Sequence, residues 1–398
     1  MITQGIGKEV GVGSLRNMIK NWSYPTDIRF GCGRVVELPE ACNSLKINNP
    51  LLVTDRFLAK LDVSNEVYDL LDKSRLNWNV FSHVDSNPSE KNLSDAVEFF
   101  KSGKHDGVIA FGGGSGLDVG KLVAFMAGQS RQVWDFEDIG ENWKRANTES
   151  IFPIIAVPTT AGTGSEVGRA GVITNSKTLE KKIIFHPKVL PTIVICDPEL
   201  TIGMPKNITA GTGLDAFAHC LEAFSSPHFH PMSHGIALEG MRLVIENLPC
   251  AYASGSNIEA RANMMCAAMM GATAFQKGLG AIHAMSHPIG ALVNCHHGTT
   301  NAVCMPHVLR LNKAAIEDKF DNATSYLGIK GGFEGFYNFV KDFNLNLGIP
   351  TNLSDLGVKS DQIEILVEKA LNDPSCQGNP VELNHKNMRT LFEQALVA

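Results

Sequence analysis

The sequence predicts two domains of different fold class, a doubly wound (Rossmann-like) α/β domain followed by an all-helical domain. In the first part of the chain, short apolar runs alternate with helical segments, which is the order of elements in a doubly wound parallel sheet. After Asp197-Pro198 the chain consists of long Ala-, Leu- and Met-rich segments with almost no β-branched alternation. A chain of 398 residues is long enough for both domains. We therefore expect an α/β domain over residues 1–203 and a helical domain over residues 204–398.

Each predicted strand is a short run of apolar residues, and each predicted helix has apolar residues at helical spacing. The predicted strands are short apolar runs typical of buried parallel strands, at residues 26–33, 51–54, 79–84, 107–111, 151–160 and 192–197. Helical spacing follows them at residues 34–45, 55–74, 89–103 and 112–128, with Ser89 or Asn87 as a cap of the third helix. In the second part the clearest helices cover residues 214–226, 233–248, 258–275 and 360–373. No low-complexity linker separates the two parts, so we expect apposed domains with a site in the cleft between them.

Composition excludes several classes of protein. A formal charge of -6, with 44% apolar and 19% charged residues, is ordinary for a globular protein and argues against nucleic acid or a membrane surface as the partner. No apolar run reaches the roughly 18–20 residues of a membrane span. The first residues lack the apolar segment of a signal peptide, and the nine cysteines form no CxxC pair. We therefore expect a cytoplasmic protein with reduced thiols.

Two turns at the ends of predicted strands have the composition of a ligand-binding edge. The segment Gly112-Gly113-Gly114-Ser115 follows a strand and opens a helix, where free N–H groups and the helix dipole favour an anion. It fits neither the GxGxxG nor the P-loop pattern, and a merely tight strand–helix turn is the alternative. The Thr- and Gly-rich segment 159–165 follows another strand and would meet the same sheet edge. We favour phosphate binding for the first turn. For the second turn, a contact with the ligand and a capped loop without a ligand are equally supported.

Asp55 directly follows the predicted strand at residues 51–54. A carboxylate at this position of a dinucleotide fold binds the ribose hydroxyls and repels a 2′-phosphate. The alternative is a cap for the helix that follows, and from the residue alone the cap is favoured.

Five side chains of metal-ligand type lie in two segments of the helical part. Asp215 and His219 are four residues apart, as are His283 and His287, so each pair shares one face of a helix. His297 lies beyond the predicted end of the helical segment that contains His283 and His287. Carboxylate and imidazole ligands without an obligatory cysteine suit Fe(II), Zn, Mn or Co. Any four of the five would make such a site, and buried core histidines are the alternative.

A separate group of histidines, His228, His230 and His234, lies in a Pro-flanked turn that opens a helix. Such a position suits capping and surface roles. We favour these roles over an adventitious metal site for this group.

Seven motifs in order make the chain similar to the iron-containing (group III) alcohol dehydrogenases and, more distantly, to glycerol dehydrogenase and dehydroquinate synthase. They extend from about residue 24 to the C-terminus and read GGGSGLDVGK, AVPTTAGTGSEV, DPELTIGMP, GTGLDAFAHCLEAF, GLGAIHAMSHPIGA, HHGTTNAVCMPHVLRLN and CQGNP. The resemblance implies a nucleotide-binding α/β domain, a helical metal-binding domain and a site in the cleft between them.

Carried over position by position, the resemblance implies a metal held by Asp215, His219, His283 and His297. It places His287 beside the substrate and the nicotinamide, where it would relay a proton. The positions that match the family's NAD site are Asp55, Asn87, Gly113, Gly114, Ser115, Asp118, Thr159, Thr160, Thr163 and Lys182. The resemblance also implies NAD as cofactor, Fe(II) as the metal with Zn as the alternative, and a homodimer.

Two departures from the family pattern bear on the site. His296 stands where a proline usually precedes the ligand His297, and we favour a side chain that points away from the metal over a fifth imidazole near it. Gln276-Lys277 stands where many members have Asn-Ala, just upstream of His283. Lys277 at the border of the substrate pocket would suit a substrate with an acidic group, and a solvated or internally paired lysine is the alternative.

The activity that the resemblance implies is hydride transfer between NAD(H) and a small primary alcohol or aldehyde, with the metal polarising the substrate oxygen. Three other functions stay open. They are a lyase or cyclase of the dehydroquinate synthase type, a transhydrogenase in which tightly held NAD shuttles hydride between a hydroxy acid and an oxo acid, and a non-catalytic protein that kept the fold. The PTTAGTGSEV and HAMSHPIGA motifs favour the dehydrogenases, and the full ligand set argues against a non-catalytic protein.

Overall fold

A parallel sheet forms the centre of the N-terminal part in the computed structural model, which describes residues 24–397. Residues 1–23 of the predicted α/β domain lie outside the described residues, as does Ala398. The strands of the described part are β1 (Asp27–Phe30), β2 (Pro50–Asp55), β3 (Asn79–Val84), β4 (Gly107–Gly112), β5 (Ile154–Pro158), β6 (Ala170–Asn175), β7 (Glu180–Phe185) and β8 (Ile193–Cys196).

The main sheet has the order β1-β8-β5-β4-β2-β3, and its neighbouring strands are parallel. Ala110 of β4 lies opposite Val53 of β2 on one side and Ala156 of β5 on the other. The chain runs from β2 towards one edge of the sheet and from β4 towards the other edge. In a doubly wound sheet, a ligand binds at the carboxyl ends of the two strands where the winding reverses. A ligand site is therefore expected at the carboxyl ends of β2 and β4.

Helices pack on both faces of this sheet because the strands are apolar on both sides. The helices of this part are α1 (Leu38–Ser44), α2 (Asp62–Asp72), α3 (Glu90–Ser102) and α4 (Gly114–Met126). Along β4, Val108 joins one hydrophobic cluster, whereas the next residue, Ile109, joins a second cluster on the opposite face. Ser89 accepts a hydrogen bond from the N–H of Lys91 at 3.3 Å, so Ser89 is the cap of α3.

The C-terminal part is helical, as predicted. Its helices are α5 (Lys206–Ser225), α6 (Pro231–Ala253), α7 (Ile258–Ala274), α8 (Ala281–Val293), α9 (His297–Tyr326), α10 (Gly332–Asn346), α11 (Ile363–Leu371) and α12 (His385–Leu396). One hydrophobic cluster contains Val108 of the sheet and Phe217 of α5, so the core continues from one part into the other. The predicted fold class is confirmed.

An antiparallel hairpin of β6 and β7 is not among the predicted elements. Its strands have apolar runs of only two and three residues, at 172–173 and 183–185, next to Thr and Asn in β6 and to Glu and Lys in β7, so the runs are shorter than those of most strands in the main sheet. The hairpin lies against α4 through β6 and against α8 through β7. It therefore brings a short polar strand to the junction of the two parts.

We propose a domain boundary between residues 203 and 204, because the chain passes there from the end of β8 to the beginning of α5. The short 3-10 helix Pro198–Thr201 makes this passage. Among residues 24–397, no helix combines the length and the apolar character that a membrane span requires.

Candidate active site

Two glycine-rich loops lie together at the carboxyl ends of β4 and β5. A Cβ added to Gly113 would stand 3.1 Å from Thr160 Cγ2, and a Cβ added to Gly114 would stand 2.7 Å from Thr163 Cγ2. Thr160 and Thr163 therefore pack directly on a backbone without side chains, and Thr159 is buried. Gly113 precedes the 13-residue helix α4, whose first N–H groups have no partner within the helix. This arrangement is suited to bind the phosphates of a nucleotide, as the sequence predicts.

Asp55 ends β2 at the same edge. Its Oδ1 accepts hydrogen bonds from the N–H groups of Phe57 and Leu58, at 2.9 and 2.8 Å. The carboxylate thus has the capping role that was the alternative at this position. Its second oxygen, Oδ2, is not used in these bonds, so a contact with a ribose stays a prediction.

Asn87 and Ser115 hold the loops around this edge. Asn87 Nδ2 donates a hydrogen bond to Oδ1 of Asn294, which stands at the C-terminal end of α8. This bond joins the nucleotide edge to the helical part across the cleft. Ser115 Oγ donates to the backbone oxygen of Ser86 at 2.6 Å and fixes the loop after β3 to the first turn of α4.

Asp118 connects α4 to both neighbouring loops. Its Oδ1 accepts from Ser165 Oγ at 2.5 Å, and its Oδ2 accepts from the N–H of Val172 at 3.0 Å. The ammonium of the buried Lys121 lies 3.3 Å from Oδ1. Both oxygens are therefore occupied by the protein, and a direct contact of Asp118 with the cofactor stays a prediction.

Lys182 was predicted at the cofactor site, but its ammonium is committed elsewhere. Lys182 Nζ lies 3.0 Å from Glu137 Oε1 and 3.2 Å from Glu180 Oε2. Burial lowers the pKa of Lys182, but the hydrogen bonds to these two carboxylates outweigh burial and raise it. The contacts give Lys182 a structural role at the hairpin.

The neighbouring Lys181 is the lysine of β7 that faces the cleft, because consecutive side chains of a strand point to opposite faces. A Cβ added to Gly290 of α8 would stand 3.5 Å from Lys181 Nζ. Burial lowers the pKa of Lys181, although the carboxylates of Asp215 and Asp118 lie near enough to oppose this effect. Within residues 24–397 its ammonium has no hydrogen-bond or ion-pair partner. Had the hairpin been predicted from the sequence, the alternation of side chains along a strand would have shown that Lys181 and Lys182 point to opposite faces.

Asp215 of α5 is the centre of the candidate metal site. The Nε2 atoms of His219, His283 and His297 lie 3.9, 3.8 and 3.6 Å from its Oδ1. Ligand atoms around a tetrahedral ion at 2.0–2.2 Å are about 3.3–3.6 Å apart, so the spacing and the donor types fit a divalent metal. The side chains of Asp215, His219 and His283 are at most 7% exposed, whereas that of His297 is 24% exposed and marks the open side of the site. Asp215, His219 and His283 present ligand atoms that all lie within 4.8 Å of one another, whereas His297 does not complete such a set with all three, so its place as the fourth ligand stays a prediction.

Burial and mutual charge shift the titration of these groups in opposite directions. Burial by itself raises the pKa of Asp215, but the neighbouring histidines outweigh it and hold the pKa well below its usual range. Burial lowers the pKa of His219 to about 4. Burial also acts on His283, but the carboxylates of Glu222 and Asp215 outweigh it and raise its pKa to about 9. Burial lowers the pKa of His297 as well. Two of the three imidazoles are therefore held neutral, as metal binding requires.

Asn301 borders the same site and was not predicted. Its Nδ2 donates to Asp215 Oδ1 at 2.8 Å and lies 3.3 Å from Nε2 of both His283 and His297. Asn301 stands one helical turn after His297 in α9, which is the spacing that could have indicated it.

His287 does not take part in this convergence and has its own carboxylate partner. Its Nδ1 lies 2.8 Å from Asp373 Oδ2, and its ring stacks on that of His297 at a centroid distance of 5.3 Å. The side chain of Asp373 is only 8% exposed, which by itself raises the pKa of its carboxyl, but His287 and the N–H of Ser375 outweigh this effect and lower the pKa. Asp373 lies 86 residues after His287, so no local pattern indicated the pair.

Three other histidines considered in the sequence, His296, His230 and His234, have capping or packing roles. His296 Nδ1 accepts from the N–H of Thr299 at 3.4 Å and caps α9, which agrees with a side chain that points away from the metal. In the His228, His230 and His234 group, His230 Nδ1 accepts from the N–H of Ser233 at 3.2 Å and caps α6. The ring of His234 stacks on Phe224 of α5 at 4.2 Å.

Lys277 has the internally paired position that was the alternative to a substrate contact. It is 5% exposed, and its Nζ donates to the backbone oxygen of Phe224 at 3.2 Å. Lys319 donates to the next two carbonyls, of Ser225 and Ser226, so two ammonium groups hold the C-terminal end of α5. Burial, and then the charge of Lys319, lower the pKa of Lys277 to about 7. None of its hydrogen bonds in the described part of the chain reaches the ligand side chains, so a place at the border of the substrate pocket stays a prediction.

Two family descriptions match the chain in succession. Residues 25–198 match the iron-containing alcohol dehydrogenases, and residues 209–396 match the C-terminal region of the same family. Among curated relatives, 4-hydroxybutyrate dehydrogenase of Cupriavidus necator is 38% identical over 383 residues, 94% of this chain and 99% of the relative. The 1,3-propanediol dehydrogenase of Citrobacter freundii is 35% identical over 376 residues, 92% of this chain and 96% of the relative.

Solved structures of the same family superpose over nearly the whole chain. A crystal structure of 1,3-propanediol oxidoreductase has a TM-score of 0.89 and 34% identity, covering 95% of this chain and 100% of its own. Sulfoacetaldehyde reductase from Bifidobacterium kashiwanohense in complex with NAD+ has a TM-score of 0.86 and 30% identity, covering 96% and 100%.

Proposed function

The chain belongs to the iron-containing alcohol dehydrogenase family, and from this premise we propose that it transfers hydride between NAD(H) and a small primary alcohol or aldehyde. The observation that carries the proposal is the convergence of three imidazole Nε2 atoms on one oxygen of Asp215, beside the His287–Asp373 pair. A metal held by such ligands can lower the pKa of a hydroxyl group, and a histidine oriented by a carboxylate can accept its proton.

Asp215, His219, His283 and His297 would hold the metal. We favour Fe(II), with Zn(II) as the alternative, since one carboxylate and three imidazoles suit both ions. The ion supplies Lewis-acid polarisation of the substrate oxygen, and the nicotinamide supplies the hydride chemistry. His297 is the most exposed of the four, so the substrate would approach from its side.

His287 would carry the proton in this reaction. The carboxylate of Asp373 accepts a hydrogen bond from Nδ1–H of His287 and so leaves Nε2 of the same ring able to take a proton. The ring stacks on that of His297, which keeps it beside the substrate position. Asp373 orients the ring and stabilises the imidazolium that forms while the alcohol is oxidised.

The dinucleotide would lie along the edge formed by the ends of β2, β4 and β5. Its phosphates would contact the first turn of α4, and its adenine-side ribose would contact Oδ2 of Asp55, which favours NAD over NADP. We assign to Lys181, instead of Lys182, the lysine of the cofactor site. The charges of Asp215 and Asp118 act on its ammonium and oppose the lowering of its pKa by burial, which supports a place between the metal ligands and the nucleotide edge.

The substrate class remains wider than one compound. The relative named 4-hydroxybutyrate dehydrogenase and the solved sulfoacetaldehyde reductase are named for compounds with an acidic group, whereas 1,3-propanediol dehydrogenase is named for a neutral diol. We propose that this chain accepts a small primary alcohol or aldehyde of one of these two types. Because Lys277 is bonded to a helix end, it no longer supports the acidic type.

A panel of substrates tests the proposal. The purified chain is loaded with Fe(II) or Zn(II) and assayed with NAD on ethanol, 1,3-propanediol and 4-hydroxybutyrate, and with NADH on the matching aldehydes. We expect metal-dependent formation or loss of NADH with at least one pair, and none in the Asp215→Asn variant. Failure with every pair and both metals would refute the proposal. Turnover between a hydroxy acid and an oxo acid without free NAD would instead support the transhydrogenase.

We also propose that the protein is a cytoplasmic homodimer. The nine unpaired cysteines suit a reducing compartment, and the family resemblance implies dimers. Light scattering of the purified chain, with 43.1 kDa expected for a single copy, tests the dimer.

A further inference from the structure

Glu222 is a buried carboxylate that the reaction above does not use. It lies on α5, three residues after His219 and seven after Asp215, so the three side chains share one face of the helix. Glu222 is only 5% exposed. A carboxylate in such a place needs partners for both oxygens.

Both oxygens of Glu222 bind the first turn of α8. Its Oε2 lies 2.5 Å from Nδ1 of His283, and its Oε1 accepts from the N–H of Ile282 at 2.7 Å. A Cβ added to Gly280 would stand 3.1 Å from Oε1, so the glycine lets the carboxylate approach the backbone. The carboxylate therefore contacts a ligand ring and the backbone beside that ring.

We propose that Glu222 is a positioning residue of the metal site, which keeps the proton of His283 on Nδ1 and leaves Nε2 free for the ion. The inference rests on the proposed function, because it requires that a metal binds at Asp215. A histidine ligand that donates its other ring N–H to a carboxylate is fixed in orientation and is a better donor. Glu222 and Asp215 together also carry two buried negative charges, which match the charge of a divalent ion.

The other two histidines of the site lack this support within residues 24–397. His219 Nδ1 has no hydrogen-bond partner there, and His297 Nδ1 has only the hydroxyl of Ser286, at 3.5 Å. Among the three ligand rings, only that of His283 is therefore positioned by a carboxylate within the described residues.

Asn379 offers a matched control at the same helix end. Its Oδ1 accepts from the N–H of Ala281 at 3.2 Å, one residue before the N–H that Glu222 binds. Asn379 also exchanges hydrogen bonds with Asn312, but no described contact joins it to His283. A change at Asn379 loosens the start of α8 and leaves the imidazole contact intact.

The test measures binding of Co(II) alone, by competition with a chelator and by the visible absorption of the bound ion. We expect Glu222→Gln to raise the dissociation constant for Co(II) about 10–100-fold and to shift the absorption bands. A glutamine has one acceptor oxygen for two donors, so it cannot replace both bonds. Asn379→Ser should lower the thermal stability but leave the affinity and the absorption bands of the wild type.

The outcomes separate the two proposals. If the wild type binds no Co(II), the metal site and the proposed function fail together. If the wild type binds Co(II) and Glu222→Gln matches its affinity and bands, only the role of Glu222 is wrong. A crystal structure of the metal-loaded wild type gives a decision even if the variant does not fold. Nε2 of His283 on the metal and Nδ1 on Glu222 would support the proposal, and Nδ1 on the metal would overturn it.

Discussion

Replacing Lys181 by methionine should weaken cofactor binding without destabilising the protein. Methionine keeps the length and apolar stem of the side chain and removes the charge. Lys181 is half-buried, and its ammonium has no hydrogen-bond or ion-pair partner within residues 24–397, so its removal breaks no internal bond. We therefore expect a melting temperature that is unchanged or slightly higher, as is common when a functional charge is removed from a cleft.

The size of the effect on binding follows from the contact that is lost. A hydrogen bond to a charged group contributes about 1.5–3 kcal/mol, which corresponds to a factor of about 10–150 in affinity. The KM for NAD should rise within this range, with neutral and acidic substrates alike, because the contact is made to the cofactor.

Lys182→Met is the matched control, one residue along the same strand. Its two ion pairs are partly exposed, with 27% of the Lys182 side chain accessible. Such pairs contribute about 0.2–1 kcal/mol each to stability, so this variant should lose a little thermal stability and keep the KM for NAD.

Steady-state kinetics at saturating alcohol, together with thermal melts of both variants, provide the measurement. A KM for NAD that stays within about twofold of the wild type in Lys181→Met would refute the assignment. So would an equal change in Lys182→Met. A loss confined to acidic substrates would mean that Lys181 binds the substrate instead of the cofactor.

The cofactor edge, the proton carrier and the metal ligands each allow a separate test. Asp55→Asn keeps an oxygen for the turn and removes the charge that repels a 2′-phosphate, so kcat/KM with NADP should rise about tenfold without loss of stability. An unchanged preference for NAD would contradict this role. Asp373→Asn weakens a charge-assisted hydrogen bond to His287, so kcat should fall about 10–100-fold with little change in the KM for the alcohol. A change in KM alone would speak against the proton relay. The pKa of His283 is about 9 without metal, so the ring is protonated on both nitrogens at neutral pH. A metal must displace the proton from Nε2, and the affinity for Zn(II) should therefore rise with pH. Chelator competition should give an affinity that rises about tenfold per pH unit from about pH 7 to about 9, and a flat profile would contradict the raised pKa of His283.

Much of the fold was predictable because its signals are local. The strands of the main sheet are continuous apolar runs, and the long helices carry apolar residues at helical spacing, so their type and order follow from short windows of sequence. The β6–β7 hairpin was missed because its alternation of polar and apolar residues is weak.

Part of the candidate site was likewise predictable from the sequence, and part was not. The four proposed ligands carry a chemical signature in their own residue types, and the family resemblance selected them from five candidates. Asp373 and Glu222 had no such signature, since they lie 86 and 61 residues from the histidines that they bind. A carboxylate far along the chain looks like any other until the fold brings it to its partner.

The lysines mark the limit of sequence-based inference about this protein. Residue types and motif order are enough to assign the family, the two fold classes and the proposed ligand set, because these depend on local patterns. Which way a side chain points depends on packing between distant segments. Lys181 faces the cleft and Lys182 does not, because the hairpin turns one face of β7 towards α8. Lys277 is held by a carbonyl 53 residues earlier, because burial leaves a helix end as its partner.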